Sequence, residues 1–268
     1  MTGDLDDPYP LDPRDIRAYR DRGHVTLGGV LRRETIDHYR PEIARLVAER
    51  TANRAPLAQR SVYDRAFLQV MNLWTASETV KRFVMSRRLG RLAAELMGVA
   101  GVRMYHDQAL FKEAGGGFTP WHADQFYWPL ASDGCTTAWI PLQDTPREMG
   151  PLAFADGSFR LQEGRDLEIG EESERRLQRS LRDFPTTEAP FAAGDVSFHS
   201  GWTFHRAGPN ATDRPRGVMT IIYMDRDMRL AAPKHRNQEL DREVWCPGVA
   251  VGAVIDSPIN PVIYDATA

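Results

Sequence analysis

Cysteine is almost missing: Cys135 and Cys246 are the only two in 268 residues. Two thiols can build neither a disulfide framework nor a cysteine-rich zinc site, so a reducing compartment is expected. Long apolar runs are missing as well, and none approaches the roughly 18 residues that a membrane span requires. The opening "MTGDLDDPYPLDP" is acidic and has no apolar core of a signal peptide. A cytoplasmic chain without a membrane partner is the expectation. A basic excess is absent too, with 34 Lys and Arg against 37 Asp and Glu and a net charge of −3. No field remains to attract phosphates, which argues against nucleic acid and leaves a small molecule as the expected partner.

Turn residues are present in quantity, 21 Gly and 18 Pro, but scattered. That suits many short elements better than disorder. The first hundred residues read as mostly helical. "DPRDIRAYRDRG" places Asp12 before Pro13 and closes on Gly23, a cap, a first-turn proline and a stop. "HVTLGGVL" then alternates like a short strand. Ile36, Tyr39, Ile43, Leu46 and Val47 recur at helical spacing, and "SRRLGRLAAELMG" is a further helix ending at Gly98.

After Gly101 the texture becomes β-rich, in runs such as "VRMYHDQALFKEAGGG", "TTAWIPLQ", "GDVSFHSG" and "RGVMTIIYM". The expected fold is mainly β with flanking helices, a sandwich or jelly roll. One domain over 1–268 is expected, with a helical part to about 100, a β-core over about 101–226 and a C-terminal extension over 227–268. The charged stretch 159–190 interrupts that core. Its length predicts either a solvated excursion or a mobile cover over a substrate mouth.

The stretch "GFTPWHADQFYWPL" carries the chemistry. His122 and Asp124 are two apart, so on a strand both face one way and reach one ion. By chance roughly one such His-x-acid match is expected in a chain of this composition, so context must decide. His24, His38 and His235 read as surface or helix-packing residues, and His106 as core. His199 and His205 remain for a third ligand. His205 is favoured, because the turn-rich "AGPNATDRPRG" follows it and Arg216 then opens an apolar strand. Two histidines and one carboxylate leave three positions open on an octahedral ion, the arrangement of non-haem Fe(II) oxygen chemistry. An arginine nearby would grip the carboxylate of a chelating 2-oxo acid in bidentate fashion. Aromatic walls from Trp121, Tyr127 and Trp128 would keep the site dry and contact the substrate.

Over roughly residues 14–226 these runs resemble the phytanoyl-CoA dioxygenase (PhyH-like) family of Fe(II)/2-oxoglutarate oxygenases, and in particular its bacterial secondary-metabolite members. The resemblance rests on "RGHVTLGGVL", "QALFKEAGGGFTPWHAD", "TAWIPLQDTPREMGPLAFADGS", "GDVSFHSGWTFHRAGPN" and "RPRGVMTIIYM". It implies a double-stranded β-helix (cupin-like), with iron on His122, Asp124 and His205. It also implies 2-oxoglutarate on Arg216, which stands at the family's interval of eleven after His205. Gln108 and Trp139 resemble residues lining the 2-oxoglutarate pocket. Ala207 departs from the pattern, standing where a hydroxyl residue often helps hold the co-substrate.

With O₂, such a site abstracts hydrogen from a substrate carbon, and hydroxylation is the default outcome. The resemblance leaves epimerisation, ring closure and desaturation open, with Tyr127 or Cys135 as candidate hydrogen donors. Asp124 argues against halogenation, which needs a small residue there. The substrate expected is an apolar or polycyclic natural product. The rival class is a β-helix protein that binds metal or ligand without oxidising anything, and the intact set of four favours the enzyme.

Overall fold

The helix signals translate into capped helices. The Asp12 carboxylate accepts the Arg14 N–H, Pro13 opens α1 (Pro13–Arg22), and Gly23 closes it in the left-handed region at φ 83°. Helix α2 (Arg33–Thr51) buries Ile36, Tyr39, Ile43, Leu46 and Val47, the apolar set spaced for it. Two more follow, α3 (Glu78–Val84) and α4 (Arg87–Met97), the latter ended by Gly98 at φ 73°. The computed structural model describes residues 3–60 and 65–267. No helix among them is long and apolar enough to cross a membrane.

The β-rich runs form two antiparallel sheets that face each other as a double-stranded β-helix. The larger contains β1 (His24–Leu27), β2 (Leu68–Met71), β3 (Gly101–Lys112), β5 (Cys135–Pro141), β8 (Val196–Ser200), β10 (Arg216–Asp225) and β11 (Val262–Asp265). Its order is β1-β8-β5-β10-β3-β11, with β2 also on β3. The smaller has the order β4-β9-β6-β7, from β4 (Thr119–His122), β6 (Leu152–Ala155), β7 (Thr186–Glu188) and β9 (His205–Ala207).

The larger sheet is buried on both faces, and period two sorts its side chains. Ala138, Ile140, Phe198, Met219 and Ile221 point outward into the core shared with the four helices. The alternate residues point to the interior of the β-helix. Such two-sided burial explains why "GVMTIIYM" reads as a continuous apolar run rather than an alternating one.

Two expectations need correction. The β-structure is wider than 101–226, because β1, β2 and β11 all join the larger sheet. β3 is long enough to hold β11 along Gly101–Arg103 and β2 along Gln108–Phe111 on one edge. The stretch beyond 226 is therefore sheet edge as well as extension. The charged stretch 159–190 is not a bare excursion either. It contains α5 (Glu171–Ser180) and β7, and buries Leu167, Leu177 and Leu181 against Trp121 and Phe204.

β3 ends in a buried lysine. Lys112 is fully buried, its Nζ donating to the Gly117 carbonyl at 2.5 Å and to Thr119 Oγ1 at 3.4 Å. Burial pushes its ammonium down to about 6, and Arg216, its partner across the β3–β10 ladder, pushes the same way. Unfolded lysine keeps its proton to about pH 10.4. Between roughly pH 6 and 10 the unfolded chain therefore binds the extra proton, and Lys112 makes stability rise with pH by up to about 1.4 kcal/mol per unit. The stability difference between wild type and Lys112→Met is expected to shift toward wild type from pH 6.5 to 9, read by urea unfolding of metal-free protein. A difference independent of pH would show that the ammonium is not desolvated.

Candidate active site

β4 and β9 pair so that His122 lies directly opposite His205. Asp124 follows in a short 3-10 turn (Asp124–Phe126). His122 Nε2 and His205 Nε2 stand 3.5 and 3.6 Å from Asp124 Oδ1, and one donor atom from each residue lies within 4.8 Å of the others. The other ring nitrogens are engaged: His122 Nδ1 is 2.8 Å from the Pro120 carbonyl and His205 Nδ1 is 3.0 Å from that of Thr203. A carbonyl accepts only, so each Nδ1 carries the proton and each Nε2 turns a lone pair to the common centre. Burial, with His122 alongside, holds the His205 imidazole well below its ordinary value. Burial opposes ionisation of Asp124, but His205, His122 and His199 around it hold the carboxyl well below the usual range. Two neutral imidazoles and a carboxylate are the donor set that a divalent iron takes.

The centre opens into a cleft. Strand alternation supplies its walls: His106, Gln108 and Leu110 from β3, Thr137 and Trp139 from β5, Arg216 and Thr220 from β10. Arg216 is 2 % exposed, donates from Nη1 to the Gly150 carbonyl and lies over the Trp139 ring at 5.4 Å. Its Nε is buried with no partner, and among the described residues it forms no ion pair. Burial pushes its guanidinium down to about 10. A buried guanidinium facing a cleft, with no counter-ion among the described residues, is fitted to an incoming carboxylate. Gln108, whose Oε1 accepts from Gln69 at 2.5 Å, lines the same cleft, as do Thr119 and Ala207, directly opposed on β4 and β9.

The cleft has a second pole. Tyr127, Trp128, His106 and Asp241 line it, with Phe67, Gln69 and Met71 around β2 and Ile169 from the charged stretch. Burial pushes His106 down to about 4 and Asp241 up to about 7. Asp241 lies on α6 (Arg236–Trp245) and accepts the Tyr105 hydroxyl at 3.1 Å. Ile169 donates its N–H to the Tyr127 hydroxyl at 3.1 Å, joining the charged stretch to the rim.

Eight of the nine site residues read from the sequence line this cleft. Trp121 does not. It precedes His122 on β4, so alternation turns it outward beneath α5, where Arg206 lies over its ring at 4.9 Å. Cys135 is also turned away, its thiol donating to Gln125 Oε1 at 3.3 Å in a buried cluster. His24 is not a surface residue: it is 3 % exposed, 2.8 Å from Asp156 Oδ1 and stacked on Phe154. His235 is half-buried against the Phe126 ring at 4.3 Å. His106 lines the cleft rather than filling the core. The sequence reading missed Gln69, Met71, Thr137 and Asp241. The alternation in "LQVM" was a usable signal for β2, whereas nothing local marks Asp241.

Comparison with known proteins agrees with this geometry. The profile of the family described as Phytanoyl-CoA dioxygenase (PhyH) matches residues 19–218. The 1-deoxypentalenic acid 11-beta-hydroxylase of Streptomyces exfoliatus is 28% identical over 253 residues, covering 87% of this chain and 84% of that one. The non-heme alpha ketoglutarate dependent carbocyclase SnoK from nogalamycin biosynthesis superposes with a TM-score of 0.79 at 25% identity, over 96% and 99% of the two chains. The epimerase SnoN, solved with Fe3+, alpha ketoglutarate and nogalamycin RO, gives 0.77 at 27% identity, over 93% and 97%. A match over about three quarters of the sequence, together with two imidazoles and a carboxylate converging beside a buried arginine, makes this chain a member of the phytanoyl-CoA dioxygenase family and an Fe(II)/2-oxoglutarate-dependent oxygenase.

Proposed function

We propose that the chain hydroxylates a carbon of a polycyclic or largely apolar natural product, holding iron on His122, Asp124 and His205 and 2-oxoglutarate on Arg216. The observation that carries this reading is the convergence of three donor atoms beside a buried guanidinium that has no counter-ion among the described residues. When bound, the iron and 2-oxoglutarate supply, with O₂, the oxidant that removes hydrogen from the substrate while 2-oxoglutarate is decarboxylated to succinate.

The chain's own residues then have separable tasks. The Pro120 and Thr203 carbonyls fix the two imidazoles. Arg216 fixes the far carboxylate of the co-substrate, with Trp139 beneath its guanidinium as a flat apolar support. Thr119 offers across the β4–β9 ladder the hydroxyl that Ala207 lacks. Gln108 adds an amide on the neighbouring wall.

At the second pole, Tyr127 and Trp128 supply apolar surface, and Asp241 and His106 supply polar points. A large ring system with a hydroxyl or amino substituent facing Asp241 fits that mixture. Hydroxylation is the default outcome, and of the two candidate hydrogen donors the Cys135 thiol is buried outside the cleft, whereas Tyr127 lines it. The two buried free cysteines support placing the enzyme in a reducing compartment such as the cytoplasm.

Anaerobic addition of Fe(II) and 2-oxoglutarate is expected to give a weak visible charge-transfer band. Adding O₂ and a panel of polycyclic aromatic and terpenoid acids should release succinate and give products heavier by one oxygen. A chain that binds Fe(II) but shows no such band, and no succinate with any compound, would be a binding protein instead.

Alanine at His122, Asp124 or His205 is expected to abolish stoichiometric iron binding in anaerobic titration. Retention of iron by His205→Ala would remove His205 from the ligand set.

Arg216→Lys is expected to bind iron like wild type and to weaken 2-oxoglutarate by tens- to a hundredfold, about 2–3 kcal/mol for a lost bidentate contact. Thr119→Val should weaken it by several-fold. An unchanged KM for 2-oxoglutarate in Arg216→Lys would place the co-substrate elsewhere.

A further inference from the structure

His199 lies inside the site yet is not one of the three residues whose donor atoms converge. Its position comes from the ladder: on β8 it is the direct cross-strand partner of Thr137 on β5, and both point inward. Both reach the same atom. His199 Nε2 is 3.2 Å and Thr137 Oγ1 is 3.0 Å from Asp124 Oδ2. The other oxygen, Oδ1, faces His122 and His205. The two oxygens of one carboxylate are thus divided between two environments.

The tautomer of His199 follows from its surroundings. The residue is 1 % exposed and its Nδ1 is buried without a partner. A proton on Nδ1 would leave a buried donor unsatisfied and set the Nε2 lone pair against the carboxylate. The proton therefore sits on Nε2 and is donated to Oδ2. A phenyl ring would fill this space beside Phe154 without leaving a nitrogen unpaired. Packing alone does not call for histidine here; the bond to Asp124 does.

We propose that His199 is a positioning residue: with Thr137 it occupies Asp124 Oδ2, so that the carboxylate presents Oδ1 alone to the metal and the remaining coordination positions stay open for co-substrate and O₂. A carboxylate free to rotate would offer both oxygens and close one of those positions. Outer residues that orient a metal ligand commonly govern affinity by ten- to a hundredfold. This inference rests on the ligand set proposed above.

The test uses the full chain, titrated anaerobically with Fe(II), and then with 2-oxoglutarate to read the charge-transfer band. His199→Leu is expected to weaken Fe(II) by about tenfold or more and to shift or broaden the band. His199→Gln, whose amide reaches a similar point with an N–H, should stay within about threefold of wild type with the band restored. Thr137→Val should weaken Fe(II) by several-fold. Because both donors act on one oxygen, the double variant should depart from the product of the single effects. Thermal unfolding of the metal-free variants separates this role from general loosening, which His199→Gln would not rescue. Two results overturn the proposal. One is His199→Leu with wild-type affinity and an unaltered band; the other is His199→Gln losing iron as fully as His205→Ala, which would make His199 a ligand. If His199→Leu fails to fold, an unaffected Thr137→Val overturns it equally. Iron retained by His205→Ala would instead defeat the ligand set on which the inference rests.

Discussion

The cross-strand pairing of His122 with His205 is the constraint on which the site depends. Neither residue is near the other in sequence, and β4 and β9 are short, so the ladder between them must be held from outside. The larger sheet does this. Its long strands β3, β5 and β10 bury apolar residues on the helical side and line the interior with polar and apolar side chains together. A rigid, two-sided sheet fixes Asp124 through Thr137 and His199, while the small sheet fixes the imidazoles. The triad is assembled from both halves of the β-helix. That is the kind of support that holds ligands to the tolerance chemistry requires.

The interior bears charges that an apolar core would not tolerate. Arg216 and Lys112 are buried side by side on paired strands, and among the described residues Arg216 meets no carboxylate and Lys112 only neutral oxygens. Like charges in low dielectric repel, which is why burial and Arg216 together drive the lysine toward its neutral form. A carboxylate drawn against Arg216 would neutralise that local field, and a ligand that binds only the folded chain there would stabilise it by linkage.

How much of this could be read from the sequence divides along the range of the interaction. The helix caps at Asp12, Gly23 and Gly98 depend on neighbours within a few residues and were fully legible. The His122–Asp124 spacing is also local, and Arg216 could be placed because it opens a strong apolar strand. Resemblance to a family supplied Gln108 and Trp139, which taken alone look like a strand-edge amide and a core aromatic. The misses are long-range. Trp121 looks like one more aromatic of the wall, yet its side of β4 is set by pairing with β9. His24 reads as a strand-opening surface residue until Asp156, 132 positions away, comes to meet it. Asp241 carries no local mark, because only the return of α6 over the cleft makes it part of the site.

The stretch 159–190 shows how a charged sequence can be structural and functional at once. Its acids and arginines face solvent, but Leu167, Leu177 and Leu181 are spaced to bury against Trp121 and Phe204 on the small sheet. Glu174 turns inward to accept the Trp121 N–H at 2.8 Å, fixing α5 to the strand that carries His122. Ile169, just before that helix, reaches the cleft and is bonded to Tyr127. The stretch thus links β4, through Trp121 and α5, to the rim of the cleft, where the Ile169–Tyr127 hydrogen bond joins it to the turn that follows Asp124. The stretch expected to be a solvated excursion or a mobile cover is anchored to the small sheet by its apolar face and brings Ile169 to the cleft.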